Sequence, residues 1–121
     1  PELPEVRVDR RLIQRTLVNL MENALHALNR LNGSGLIEVR VSRITRGGGP
    51  FVALTVRDNG VGIEPEVRAR VFEPYFSTRA AGTGLGLAIA RKVVEDHGGT
   101  IALESAPGEG TEVTIQLPVA R

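Results

Sequence analysis

The sequence predicts an α+β fold, a two-layer α/β sandwich of helices and antiparallel strands. Two kinds of periodicity predict it. Apolar residues recur at spacings of three and four in the first quarter of the chain and again between Gly84 and His97. From Ile37 to Val56, and again after Gly99, they alternate with polar residues. Helical and alternating segments segregate along the chain, and its 121 residues fit one domain, 1–121, large enough to bury an ordinary core.

Each element has its own signal. Asp9 can cap a helix whose apolar positions Leu12, Ile13, Leu17, Leu20, Met21, Ala24, Leu25, Leu28 and Leu31 share a face until Asn32-Gly33 stops it. Polar Asn19 and Asn23 lie four apart and therefore on one side of that helix. Ile37, Val39 and Val41 alternate with Glu38, Arg40 and Ser42, and Val52, Leu54 and Val56 alternate again after Gly47-Gly-Gly-Pro50, which makes a hairpin with one buried side. A short helix starts near Pro65, a residue favoured in a first turn, and ends before Pro74. Gly84 to His97 is a further helix ended by Gly98-Gly99, and strands over 100–104 and 111–117 flank the turn Ala106-Pro-Gly-Glu-Gly110.

Composition narrows the function classes. With 41% hydrophobic and 24% charged residues the chain reads as a soluble globular domain. No apolar run approaches the roughly 20 residues that cross a bilayer, so no direct membrane contact is expected. The start, Pro1-Glu-Leu-Pro, is neither a signal peptide nor an initiating Met, and the chain reads as a cytoplasmic piece cut from a longer protein, whether or not that parent is membrane-anchored. There is no cysteine, which removes disulfides and thiolate metal sites. A net charge of +1 with scattered basic residues does not imply nucleic acid.

Four polar clusters carry the chemistry: Asn19-Leu-Met-Glu-Asn23, Asp58-Asn-Gly-Val-Gly62, Phe72-Glu-Pro-Tyr-Phe76 and Gly82-Thr-Gly-Leu-Gly86. Mg²⁺ takes hard oxygen ligands and commonly only one or two from protein, so the Asn23 amide oxygen is a candidate ligand, although both asparagines also suit a helix surface. His26 lies on the same side and can donate to a phosphate oxygen. Asp58 sits where a strand gives way to a glycine-rich turn. Its carboxylate can accept from the exocyclic amine of adenine, whereas guanine presents a carbonyl there. Gly60 and Gly62 permit tight turns and close ligand approach; the same tripeptide also makes a common Asp-Asn-Gly turn. Gly82-Thr83-Gly84-Leu85-Gly86-Leu87 lacks the Lys-Ser/Thr ending of a Walker A loop, and no apolar strand precedes it as a dinucleotide fingerprint requires. It remains a loop entering a helix, whose free N–H groups favour phosphate. Residues 73–81 read as a lid, with Phe72, Tyr75 and Phe76 as its apolar latch, Phe72 suiting the core still better, and Arg79 reaching a phosphate.

In this order the clusters resemble the N box, first glycine box, F box and second glycine box of the catalytic, ATP-binding domain of bacterial sensor histidine kinases, within the superfamily of gyrase, the Hsp90 chaperones and MutL. The resemblance runs from Val6 to Val119, with Gly110-Thr111 and Leu117-Pro118 similar to the closing strand, and Phe-Glu-Pro-Tyr-Phe-Ser-Thr-Arg similar to nitrogen-regulation kinases. It implies a Bergerat-type sandwich, helices packed on one face of a mixed, mainly antiparallel sheet, that binds Mg²⁺-ATP between helices and lid, with Asn23 on the metal and Asp58 on adenine. It further implies that Ile63, Phe72, Leu87 and Thr111 line the nucleotide site with the glycines of both boxes.

Superfamily members that hydrolyse ATP place a glutamate base four residues before the metal-binding asparagine, where this chain has Asn19. The resemblance therefore implies transfer of the γ-phosphoryl group to a protein histidine, with Glu22 at the position assigned to activating that acceptor. The acceptor belongs to an upstream dimerisation domain, with a response regulator as indirect partner. His26 and His97 do not resemble acceptors, so the isolated domain is expected not to phosphorylate itself, and since the family's dimer contacts lie upstream it is expected to be monomeric. A serine kinase of the anti-sigma type and a nucleotide sensor that transfers nothing are the rival readings.

Overall fold

A computed structural model of the chain describes residues 9–28, 35–73 and 86–119. Helix α1 spans Arg10–Leu28. The Asp9 carboxylate caps it, Oδ1 accepting from the Leu12 N–H at 3.2 Å, three residues on as an N-cap should. Thr16, Leu20 and Ala24, four apart, form its buried stripe. The Thr16 hydroxyl is reconciled with burial by donating to the Leu12 carbonyl at 3.0 Å.

Strands β1 (Ile37–Arg46) and β2 (Gly49–Asp58) form a hairpin longer than the apolar alternation predicts. The extension follows from Gly47-Gly48, whose φ angles of 57° and 80° give a two-residue turn of the kind that matches strand twist, so Gly49 and Pro50 belong to β2. After the short helix α2 (Pro65–Arg68) comes α3 (Gly86–Asp96), then β3 (Thr100–Ser105) and β4 (Thr111–Pro118). α3 ends as predicted at Gly98-Gly99: the Gly98 N–H donates to the Glu95 carbonyl and the Gly99 N–H to that of Val94, each at 3.0 Å, which satisfies two carbonyls of the last turn.

The sheet order is β1-β2-β4-β3, and each of these pairings is antiparallel. α1 packs on α3 and β2, and α3 on β3. Leu20 and Ala24 meet Val56, Val94, Val113, Ile115 and Leu117 in the core. The predicted buried side of the hairpin is realised on β2 but not on β1: Val39 and Val41 remain 52% and 42% exposed. β1 is an edge strand, and the described helices cover the strands beyond it. On the opposite face Arg46 lies over the Phe51 ring, 5.6 Å from its centroid, and donates to Thr100 Oγ1 and Gln116 Oε1, spanning the sheet.

Candidate functional site

Register assembles the site. Pairing sets Asp58 opposite Thr111, and Thr111 opposite Ser105, so three polar side chains form one row on the helix-side face of β2, β4 and β3. The row continues the core layer above it, because Val56, Val113 and Leu103 are paired two residues away. Asp58 is 6% exposed. Its Oδ1 accepts from the Gly60 N–H at 2.8 Å, and the Thr111 backbone also bonds to the carboxyl. Burial pushes the carboxyl above its ordinary value, with the two backbone bonds opposing the rise.

The loop after Asp58 is braced by the β3–β4 turn. Gly62 has φ +76°, and a Cβ there would collide with the carbonyl of Ala106. The close approach permitted at Gly62 is thus to the protein's own backbone. The Gly108 N–H donates to the Val61 carbonyl at 2.8 Å, locking turn to loop. The Asn59 amide oxygen accepts from the Leu36 N–H at 2.7 Å and holds the entry to β1. Ser105 Oγ donates to the Gly110 carbonyl at 2.7 Å and contacts Thr111 Oγ1 at 2.9 Å, while Arg68 of α2 donates to the Ser105 carbonyl at 3.0 Å. None of Asn59, Arg68, Ser105 or Gly108 is singled out by sequence reasoning; the available signal is that Ser105 and Thr111 flank a glycine-bounded turn and so pair across it.

On α1, Asn19 and Asn23 are half-buried and Glu22 is exposed. The asparagines adjoin Leu20 and Ala24, which share a cluster with Val56, two residues before Asp58. Half-buried Ile63 follows Gly62, and half-buried Leu87 opens α3 beside Gly86 and packs against the core. Phe72 is half-buried beneath Arg91 of α3, whose guanidinium lies 5.8 Å from the ring centroid. Tyr75, Phe76, Arg79, Gly82, Thr83, Gly84 and Leu85 lie outside the described residues, as does the His26 side chain. A cavity of about 190 Å³ bordered by Leu36, Glu38, Arg57, Asp58, Asn59 and Glu109 opens beside the row and includes neither Asn19 nor Asn23.

His97 is committed elsewhere. Its Nε2 accepts from the Asp9 N–H at 2.9 Å, which leaves Nδ1 as the protonated nitrogen donating to the Val93 carbonyl at 2.7 Å. Nε2 thus ties the end of α3 to the start of α1, while Nδ1 holds the ring against its own helix.

Among the described residues no group of three His, Asp or Glu side chains converges as a metal cage. A lone amide ligand such as Asn23 fits a cation that arrives with phosphate oxygens and keeps its waters. Among them, too, no helix is long and apolar enough to cross a membrane.

The fold and this site define a class. The family model for histidine kinase-, DNA gyrase B- and HSP90-like ATPases matches residues 8–121, and the chain belongs to that family. Its relatives narrow the class to sensor histidine kinases. ZraS of Klebsiella oxytoca is 44% identical over 119 residues, covering 98% of this chain and 24% of that protein. The nitrogen regulation protein NtrY of Azorhizobium caulinodans is 41% identical over 122 residues, covering 97% and 15%. The chain thus spans about a quarter or less of these relatives. The mycobacterial sensor histidine kinase MprB superposes with a TM-score of 0.79 at 34% identity, covering 94% of this chain and 74% of that one. Full-length ShkA in complex with AMPPNP gives 0.74 at 30% identity, covering 98% and 24%.

Proposed function

We propose that this chain binds Mg²⁺-ATP and donates the γ-phosphoryl group to a histidine in a separate dimerisation domain of a two-component sensor kinase. The observation that carries the reading is the buried Asp58 carboxylate at the end of an interior strand, held by backbone N–H groups on the face that α1 covers. A carboxylate placed so reads an exocyclic amine. The AMPPNP bound by ShkA supports an adenine nucleotide as the ligand.

In this reading Asn23 holds Mg²⁺, which supplies neutralisation of charge on the transferring phosphoryl group. Asp58 takes the adenine amine, while Gly60, Gly62, Ile63, Phe72, Leu87 and Thr111 form the walls. His26, Arg79 and the 82–86 loop face the phosphates. Asn19 supplies an amide where a hydrolase needs a carboxylate base, so water is not activated. Glu22, exposed beside Asn23, is free to meet an incoming acceptor and polarise its imidazole.

Calorimetric titration with ATP and GTP, with and without Mg²⁺, tests the nucleotide half. Selective ATP binding should weaken roughly 10- to 150-fold in Asp58→Ala, the worth of a charged hydrogen bond. Equal affinity in the folded variant, or no binding by the parent chain, refutes the site. Supplying a histidine-bearing dimerisation domain tests the transfer: acid-labile label on histidine is expected, and acid-stable label on serine contradicts it.

A further inference from the structure

Resting on the adenine reading above, we infer that Ser105 is a specificity-determining positioning residue: it fixes the Thr111 hydroxyl as a hydrogen-bond acceptor toward the base, so that the site rejects guanine. The argument is a count of protons. A serine hydroxyl has one proton to donate. The Gly110 carbonyl can only accept, and Ser105 Oγ lies 2.7 Å from it, so that proton is spent. The contact between Ser105 Oγ and Thr111 Oγ1, at 2.9 Å, then requires Thr111 to donate. With its own proton turned to Ser105, Thr111 can offer the site only lone pairs.

Asp58 is the next residue in the same row, and its ionised carboxylate is also acceptor-only. The two side chains together face the ligand with acceptors and no donor. An adenine amine, or a water bonded to it, supplies the donors that they need. Guanine's carbonyl oxygen at that position would meet lone pairs, and buried polar groups left unpaired carry the discrimination. Arg68 holds the Ser105 backbone from α2, and Gly110 lies so close to the Asp58 carbonyl that a Cβ there would collide with it, so the polarity of the network is set by a braced frame.

The test measures ATP and GTP affinities calorimetrically for the full 121-residue chain, Ser105→Ala, Thr111→Val and the double variant, with thermal melts to establish folding. In Ser105→Ala the Thr111 hydroxyl regains freedom to donate, and the ATP-over-GTP ratio should fall by about 10-fold, mostly through tighter GTP binding. Thr111→Val should lower the ratio by weakening ATP, and Ser105→Ala should change nothing further on that background. A folded Ser105→Ala chain with the parent's ratio overturns the inference. Should Ser105→Ala fail to fold, Thr111→Val decides alone: a lower ratio supports the inference, an unchanged one overturns it. A parent chain that binds neither nucleotide removes the adenine reading and this inference together, whereas ATP-selective binding that ignores Ser105 and Thr111 removes only the inference.

Discussion

Replacing Gly62 by alanine isolates what the brace between loop and turn is worth, because Gly108 provides a matched control. The two glycines have nearly the same backbone, φ +76° and +78°, so alanine pays the same left-handed penalty at each, about 1–2 kcal/mol. Their surroundings differ. A Cβ at Gly108 meets nothing within 4 Å, whereas one at Gly62 would stand 2.0 Å from the Ala106 carbonyl oxygen and 2.7 Å from its carbon. Real Cβ contacts essentially never fall under 3.0 Å, so the turn must retreat by about an ångström, and its rigidity makes that costly. Strain of this kind adds about 1–3 kcal/mol. Gly62→Ala should therefore destabilise the chain by about 2–5 kcal/mol and Gly108→Ala by about 1–2. Urea denaturation of both variants reads the difference. Similar losses at the two sites would refute the claim that the Asp58 loop leans on the β3–β4 turn.

The remaining predictions concern Asp58 and His97. Burial raises the Asp58 carboxyl from its ordinary 3.8, so the folded state favours the protonated form, and the favourable contribution present below 3.8 is lost as pH rises through the raised value. The difference in melting midpoint between Asp58→Asn and the parent should accordingly move in the variant's favour between pH 3 and pH 7; movement the other way would show that the backbone bonds, not burial, dominate. His97→Ala removes two ring hydrogen bonds, the Nε2 bond that joins α3 to the α1 cap and the Nδ1 bond to Val93 within α3, and should cost about 1–2 kcal/mol in urea denaturation while leaving ATP affinity unchanged. An unaltered denaturation midpoint would show that this link carries no stability.

Local signals made most of the fold legible. Asp9, Gly47-Gly48 and Gly98-Gly99 each act within a few residues of their own position, and the structure uses them as caps and turn. Burial across the sheet was less legible. Alternation in β1 marks a two-sided strand, but whether helices cover the apolar side depends on its place at an edge, which no local pattern encodes. The site divides in the same way. Asp58 and the asparagines announce themselves by residue type and spacing. Ser105 and Arg68 do not, because their part depends on pairing across β3 and β4 and on where a short helix comes to rest.

That division has a physical basis in how the row around Asp58 is built. Main-chain groups hold two of its three side chains, Asp58 by Gly60 and Thr111 and Ser105 by Gly110; Ser105 in turn holds the Thr111 hydroxyl, and the Gly108 N–H ties the neighbouring Val61 carbonyl. Main-chain groups are fixed by strand register, and β2 and β4 are the two interior strands of the sheet. In the proposed reading, recognising the base thus requires little new ordering, and the nucleotide's binding energy is not consumed in arranging the groups that meet it. In the proposed reading the phosphate contacts come from the other half, on α1 and between Phe72 and α3. The Arg91–Phe72 stack and the His97–Asp9 bond connect that half to the frame: one joins α3 to the residue that opens the predicted lid, the other joins α3 to the cap of the asparagine-bearing helix. In the proposed reading α3 thus links Phe72 to the helix that carries Glu22, while the row around Asp58 stays held by its own bonds.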